Sequence, residues 1–363
     1  PTWNGTSCSA GPGISGTINS GGGGGGGAYC SGTQVTGSFN GGGGSGGSGI
    51  VVVRYLLPAP STPDLDSGSD TGSSSTDNLT RNQTLTFAGN APVTASVQLS
   101  VATASSASDT NATTGTWTDT GSTCTANTTS GAWTCSTASL APGLYKVRST
   151  ATTTLDGITD TQTSSTAVVI EVDTTAPTVT LTRAGSGLLT VGQTETITFT
   201  LSEASSNFAA DDITVAGGSI GTLTTTSSTV YSAVFTPTAN TNSGTASISV
   251  AGTRFTDTAG NNNSASNAVS FTFDTLRPTI SLSGCAASYA SGTTCSITIT
   301  LSDSVSDLEL ADFTVTRGSL SGLTTTGTSR TVTYTATGPI GGTSAISVAA
   351  SAITDANSNT NIA

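Results

Sequence analysis

The stretch ITFTLSE at Ile197–Glu203 returns as ITITLSD at Ile297–Asp303, one hundred residues later. In each copy Ile, Phe or Ile, and Leu alternate with Thr, the period of a half-buried β-strand. The flanks repeat too. DTTAPTVTL at Asp173–Leu181 is answered by DTLRPTISL at Asp274–Leu282, and DITV at Asp212–Val215 by DFTV at Asp312–Val315. FTD at Phe255–Asp257 is answered by ITD at Ile353–Asp355. The first unit closes on AVSFTF at Ala268–Phe273, and the second reaches Ala363 with no counterpart of that segment.

Strand candidates in the first unit are Val179 and Leu181, Ile197 to Leu201, Ile213 and Val215, Tyr231 to Phe235, Ile248 and Val250, and Val269 to Phe273. Six or seven such strands within about 100 residues, separated by turn clusters, have the spacing of an antiparallel sandwich. Thr fits the outward face of a pleated sheet and keeps it soluble without charge.

The whole composition agrees with an all-β chain. Of 363 residues only 8% are charged and 5% aromatic, and glycine alone contributes 45. A formal charge of −12, with one lysine (Lys146), argues against nucleic acid or an anionic membrane as partner. No apolar run has the length to cross a bilayer, so no membrane insertion is expected. The chain begins at Pro1 without Met or a signal-peptide pattern, as a processed product or a fragment would.

The six cysteines fall as neighbours, Cys8 with Cys30, Cys124 with Cys135, and Cys285 with Cys295. Each pair sits inside one candidate domain, which favours three local disulfides over the other connectivities, and the rival reading as metal ligands lacks any histidine or CxxC pair. Disulfides place the chain in an oxidising setting, extracellular or at the cell surface. Cys124 and Cys135 flank a turn at Thr129–Gly131 and are expected to staple a hairpin.

Five segments follow. Residues 1–57 form a glycine-rich N-terminal module ending in the strand signal Ile50 to Leu57, and 58–78 a linker or domain entrance rich in Pro, Ser and Asp. Residues 79–173 form a first β-sandwich, with strand candidates around Phe87, Val97 to Val101, Trp133, Tyr145, Val147 and Ile170. Residues 174–275 form a second. Residues 276–363 form a third that lacks its last strand.

The ending GGSGIVVVRY, at Gly46–Tyr55, resembles the glycine-rich modules of phage tail-tip and bacterial surface proteins. PDLDSGSDTGSSSTDNLTRNQTLTFAG from Pro63, GAWTCSTASLAPGLYKV from Gly131 and VDTTAPTV from Val172 resemble the Ig-like repeats of large bacterial surface adhesins. LSEASSNFAADDITVAGGSI from Leu201, with FTDTAGNN from Phe255, is similar to a sister class of those repeats. This second resemblance runs from about residue 62 to the end. It implies tandem extracellular Ig-like antiparallel β-sandwiches, serving as stalk or filament modules. The added cysteines, the glycine-rich start and the missing strand depart from the pattern.

Catalysis has few residues to work with. Zero histidine removes the usual general base, and a single lysine limits Lys–Asn isopeptide cross-links to one. The expectation is a protein that is not an enzyme. The resemblance implies calcium between domains, with Asp173, Asp257, Asp274 and Asp355 as weak candidate ligands among loop acids that also recur at Glu203, Asp211, Asp212, Asp303, Asp307 and Asp312. The competing reading, that Asp and Asn cap turns, is preferred. Sequons at Asn4, Asn78, Asn82, Asn111, Asn127 and Asn262 are weak glycosylation signals in a chain so rich in Ser and Thr.

Three accounts of the missing strand compete: truncation, a domain complete without it, and complementation by a neighbouring copy. The last yields a head-to-tail polymer of identical subunits, because such a contact does not close on itself. Ile50, Val51, Val52, Val53 and Tyr55 are the candidate donor, with Ile14 and Ile18 a weaker second. Ile346, Val348 and Ile353 are the candidate acceptor. The expected role is a structural subunit of an extracellular microbial filament. The alternative is a stalk segment of an adhesin or phage tail fibre, with a glycan or host-surface ligand bound elsewhere.

Overall fold

A computed structural model describes residues 57–362, apart from 156, 287–289, 339 and 340, together with Thr2–Trp3 and Cys8–Ser9. The last four residues form a short antiparallel pair, β1 (Thr2–Trp3) and β2 (Cys8–Ser9). The rest of the glycine-rich module lies outside the described residues. So do Cys30, Asn4 and every proposed donor residue: Ile14, Ile18, Ile50, Val51, Val52, Val53 and Tyr55. The chain forms two compact units, Pro1–Thr174 and Thr175–Ala363, and among the described residues it has no α-helix.

The first unit contains a β-sandwich. One sheet has β3 (Asp64–Leu65), β5 (Thr86–Asn90) and β8 (Ala132–Ser136) in the order β3-β5-β8. The other is built from β4 (Leu79–Thr80), β6 (Ser96–Thr103), β7 (Thr118–Thr125), β9 (Gly143–Leu155), β10 (Ile158–Thr163) and β11 (Val168–Val172). Its order is β4-β11-β9-β6-β7, with β10 paired to β9. Leu65, Phe87, Val97, Leu99, Trp133, Val147 and Ile170 meet in one core. Leu65 shows that the stretch before residue 79 enters the domain, as a strand that buries its own side chain.

Cys124 and Cys135 are bonded, but they do not staple a hairpin. Cys124 lies on β7 and Cys135 on β8, and these strands belong to opposite sheets. Their connection is an arch over the end of the sandwich. The alternation around Trp133 and Cys135 gives strand and facing but not which sheet the strand joins, hence the misreading.

The second unit holds the two repeats. In the middle domain β12 (Val179–Arg183), β13 (Glu195–Leu201), β15 (Gly218–Ile220), β16 (Thr224–Thr225) and β17 (Val230–Pro237) make one sheet. The facing sheet is β14 (Ile213–Ala216), β18 (Gly244–Val250) and β19 (Val269–Phe273), in that order. The alternating residues behave as their period requires. Ile197, Phe199 and Leu201 are buried while Thr198 and Thr200 face outward.

The third domain repeats this plan. β20 (Ile280–Ser283), β21 (Thr294–Leu301), β23 (Gly318–Ser321) and β24 (Ser329–Ala336) form the sheet β20-β21-β24-β23. β22 (Phe313–Val315) pairs with β25 (Ile346–Val348). Register is kept between copies: Leu181 faces Phe199 across β12 and β13, as Leu282 faces Ile299 across β20 and β21. Cys285, just past β20, is bonded to Cys295 on β21, tying the first two strands.

Candidate functional site

Two features stand out in the second unit, a carboxylate cluster between its domains and a groove in the third. Asp274, Asp303 and Asp355 each bring a carboxylate oxygen within 4.8 Å of the others, and Asp274 and Asp355 are buried. Asp274 follows β19 and caps its own turn, accepting the Leu276 N–H at 3.0 Å. Asp355 accepts the N–H groups of Asn357 and Asn359 at 2.8 and 2.9 Å. Asp303 accepts the Ser304 N–H at 2.7 Å. Turn capping and convergence therefore coexist, because each capped turn leaves carboxylate lone pairs aimed at the same point.

Asparagines join the two domains across this cluster. The Asn357 side chain donates to Asp274 at 2.6 Å. Asn359, 2% exposed, donates to the Asp274 carbonyl at 3.2 Å and the Asp355 carboxylate at 2.9 Å. Its own oxygen accepts the Val191 N–H at 2.8 Å, from the loop before β13. Arg277 donates to the Thr360 carbonyl at 2.9 Å. The asparagines were not singled out from the sequence, though Asn359 and Asn361 after Asp355 repeat Asn261 and Asn263 after Asp257. Three converging carboxylates, with no histidine or cysteine among them, offer oxygen ligands of the kind calcium takes, whose geometry tolerates irregular oxygen sets.

Within their own units, Asp257 is buried and accepts from Asn261, and the backbone N–H of Asp173 donates to Thr80 at 2.8 Å. Asn111, Asn127 and Asn262 are exposed, while Asn78 and Asn82 are half-buried. Lys146 pairs with Asp109, not with an asparagine, at 3.0 and 3.2 Å. The Ser105 backbone N–H and then Lys146 hold the Asp109 carboxyl at about 2, so the contact is an ion pair.

The groove lies in the third domain, in the place that β19 fills in the second. In the middle domain Phe271 sits edge-on to Phe235 at 5.3 Å, with the Arg183 guanidinium 4.3 Å from its ring. In the third, Tyr334 takes the register position of Phe235. Among the described residues no strand lies beside β25 on the side away from β22. The resulting cavity, about 440 Å³, is lined by Leu282, Ile297, Tyr334, Ala336 and Ile346. Ile346 and Leu282 are half-buried, where their counterparts Ile248 and Leu181 are buried. Of the expected acceptor residues, Ile346 borders the groove. Val348 is buried, and Ile353 is fully buried in its own domain's core.

The model of the family described as bacterial Ig-like domain matches residues 173–273 and 274–363. Among solved structures, a fragment of the titin I-band, I67–I69, is 10% identical with a TM-score of 0.32, over 78% of this chain and 88% of that one. The Yersinia pseudotuberculosis protein InvD is 16% identical with a TM-score of 0.25, over 78% of this chain and 84% of that one. No curated protein matches the chain. Among the described residues no helix is long and apolar enough to cross a membrane.

Proposed function

The chain belongs to the bacterial Ig-like domain family, and on that premise we propose that it is a structural subunit of an extracellular fibre, not an enzyme. Tandem bacterial Ig-like domains and disulfides are consistent with a surface or extracellular structural role. The observation that carries the finer reading is the groove between β25 and the facing sheet. Leu282, Ile297, Tyr334, Ala336 and Ile346 line it together with the polar Ser283, Thr343 and Ser344, in the place that Val269, Phe271 and Phe273 occupy one domain earlier. A strand with apolar residues at alternate positions, paired to β25, completes the sandwich, and a neighbouring copy supplies it. Calcium at Asp274, Asp303 and Asp355 stiffens the join between the two domains by neutralising three converging carboxylates.

Electron microscopy of the native material tests this. Fibres with an axial repeat of one chain are expected, and a peptide spanning Asn267–Asp274 should shorten them by competing for the groove. Deleting residues 1–57 should leave monomers that do not elongate. Isolated rods, with the groove filled by a later part of the same polypeptide, would overturn the fibre reading in favour of a stalk segment. An intact-mass measurement of the native chain identifies that case directly.

A further inference from the structure

The turn after the first strand is tied down in both repeats, but by different chemistry. In the middle domain Gly185, just past β12, donates its N–H to Glu195 Oε1 at 2.9 Å, and Arg183 donates to Oε2 at 3.0 Å. Glu195 is 5% exposed, and the Arg183 guanidinium also lies 4.3 Å from the Phe271 ring. That arrangement draws on β19 as well as on β12 and β13.

In the third domain Cys295 takes the register position of Glu195, since Glu195 pairs with Phe235 and Cys295 with Tyr334. Matching Leu181 with Leu282 puts Cys285 at the position of Ala184, next to Gly185. A covalent bond therefore joins the points that hydrogen bonds and an ion pair join one domain earlier, and it is complete between the first two strands. Gly284 turns the chain at φ 114°, where a Cβ would lie 2.8 Å from the Ser296 carbonyl oxygen, so the turn sits close on β21. Leu282, Ser283, Gly284, Cys285 and Ala286 run along one side of the groove beside β25. The bond thus fixes a wall of that groove.

The two disulfides among the described residues differ in access. Cys285 is exposed, whereas Cys135 is 2% exposed and Cys124 half-buried. Thiol–disulfide exchange requires a thiolate to reach a sulfur, so the third-domain bond is the more open to attack.

We propose that Cys285–Cys295 is a redox-operated clamp on the groove. Intact, it holds the wall of residues 283–286 against β21; opened by a soluble dithiol, it releases that wall. One reductant thiolate attacks Cys285 Sγ, forming a mixed disulfide and expelling the Cys295 thiolate, which takes up a proton. The second reductant thiol then displaces Cys285 as a free thiol and closes the reductant's own disulfide, so two electrons pass to the bond. Capture of a strand by the groove then depends on the oxidised state, a consequence that rests on the fibre reading.

The test compares the full chain with a Cys285→Ser, Cys295→Ser variant, both without reductant so that Cys124–Cys135 stays closed. Hydrogen exchange reads the clamp. Amides of β20 and of residues 294–298 should exchange at least tenfold faster in the variant, while residues 329–332 of β24 keep their protection. Mild dithiol treatment of the parent should reproduce this pattern, with alkylation at Cys285 and Cys295 preceding that at Cys124 and Cys135. Unchanged exchange in the variant, or a loss spread evenly over the third domain, would overturn the clamp. Binding of a fluorescently labelled peptide of residues 267–274 reads the consequence, and should be at least tenfold weaker in the variant. Equal affinity in parent and variant would overturn redox control of capture. A peptide that does not bind the oxidised parent would instead refute the fibre reading, and the exchange data would decide the clamp alone.

Discussion

Phe271→Ala, in the closing strand of the middle domain, measures what that strand contributes to its own sandwich. Phe271 is 7% exposed, packs on Phe235 at 5.3 Å and carries Arg183 on its ring at 4.3 Å. Truncating a buried Phe costs about 3–5 kcal/mol through lost transfer energy and the cavity left behind. The arginine contact adds about 0.5–1 kcal/mol at a half-exposed site. The strand also brings Val269 and Phe273 into the core. At about 1.5–3 kcal/mol for each buried side chain, the three together are worth about 5–9 kcal/mol, an upper range because the unfolded chain is not fully extended. A strand entering the third domain stands to gain a comparable amount before its own ordering cost. The assay is hydrogen exchange of the amides in β17 and β19, read domain by domain, because a three-sandwich chain does not melt as one unit. Protection there should fall by about 3.5–6 kcal/mol in Phe271→Ala. A loss under about 1.5 kcal/mol would refute the reasoning, since the closing strand would then contribute too little to make an unfilled groove costly.

Three further outcomes follow from the same contacts. Replacing Cys124 and Cys135 together by serine opens a loop of sequence separation 11 and should cost the first domain about 3 kcal/mol on the chain-entropy account, measured by urea denaturation in oxidised and reduced samples. Asn359→Ala removes two hydrogen bonds spanning the two repeats and a third to Asp355 within the third domain; the middle and third domains should then melt as separate calorimetric transitions, with Asn359→Asp giving partial coupling only when calcium is present. Glu195 is pushed up by burial, but the Gly185 N–H and Arg183 outweigh this and leave its carboxyl below 4.5. Its stabilisation is therefore complete above 4.5 and is lost as the pH falls through the lower folded value, so Glu195→Gln should flatten the acid limb of the middle domain's stability curve.

The sandwiches were legible because they rest on a local rule. Period-two alternation at Ile197 to Leu201 and at Ile297 to Leu301 fixes both strand and facing, and the repeat fixes the register between copies. The site was legible only in part. Acids at Asp274, Asp303 and Asp355 are visible in sequence, but their convergence depends on Asn357 and Asn359 reaching across a domain boundary. The burial of Asp70 was invisible for a related reason. In sequence it is one acid in a Ser- and Gly-rich run, and only the fold shows that the turn after Asp66 buries it.

The two repeats serve as each other's control for the groove. Ile248 and Ile346 are the same residue at the same register, one opposite Val215 and the other opposite Val315. Leu181 and Leu282 are likewise matched, opposite Phe199 and Ile299. Hydropathy therefore cannot explain why the first of each pair is buried and the second half-buried. What differs is the neighbour: β19 covers Ile248, pairing with it through Val269, and nothing among the described residues takes that place beside Ile346. The polar ends of the domains show no such difference, since Asn263 and Asn361 each accept two backbone N–H groups and donate to two carbonyls in the same pattern. Among the described residues, the third domain thus keeps the middle domain's Asn-centred loop framework beside a groove next to β25. On the proposed fibre reading, an incoming strand would meet an edge that needs little reorganisation, and its affinity would depend on apolar side chains at alternate positions.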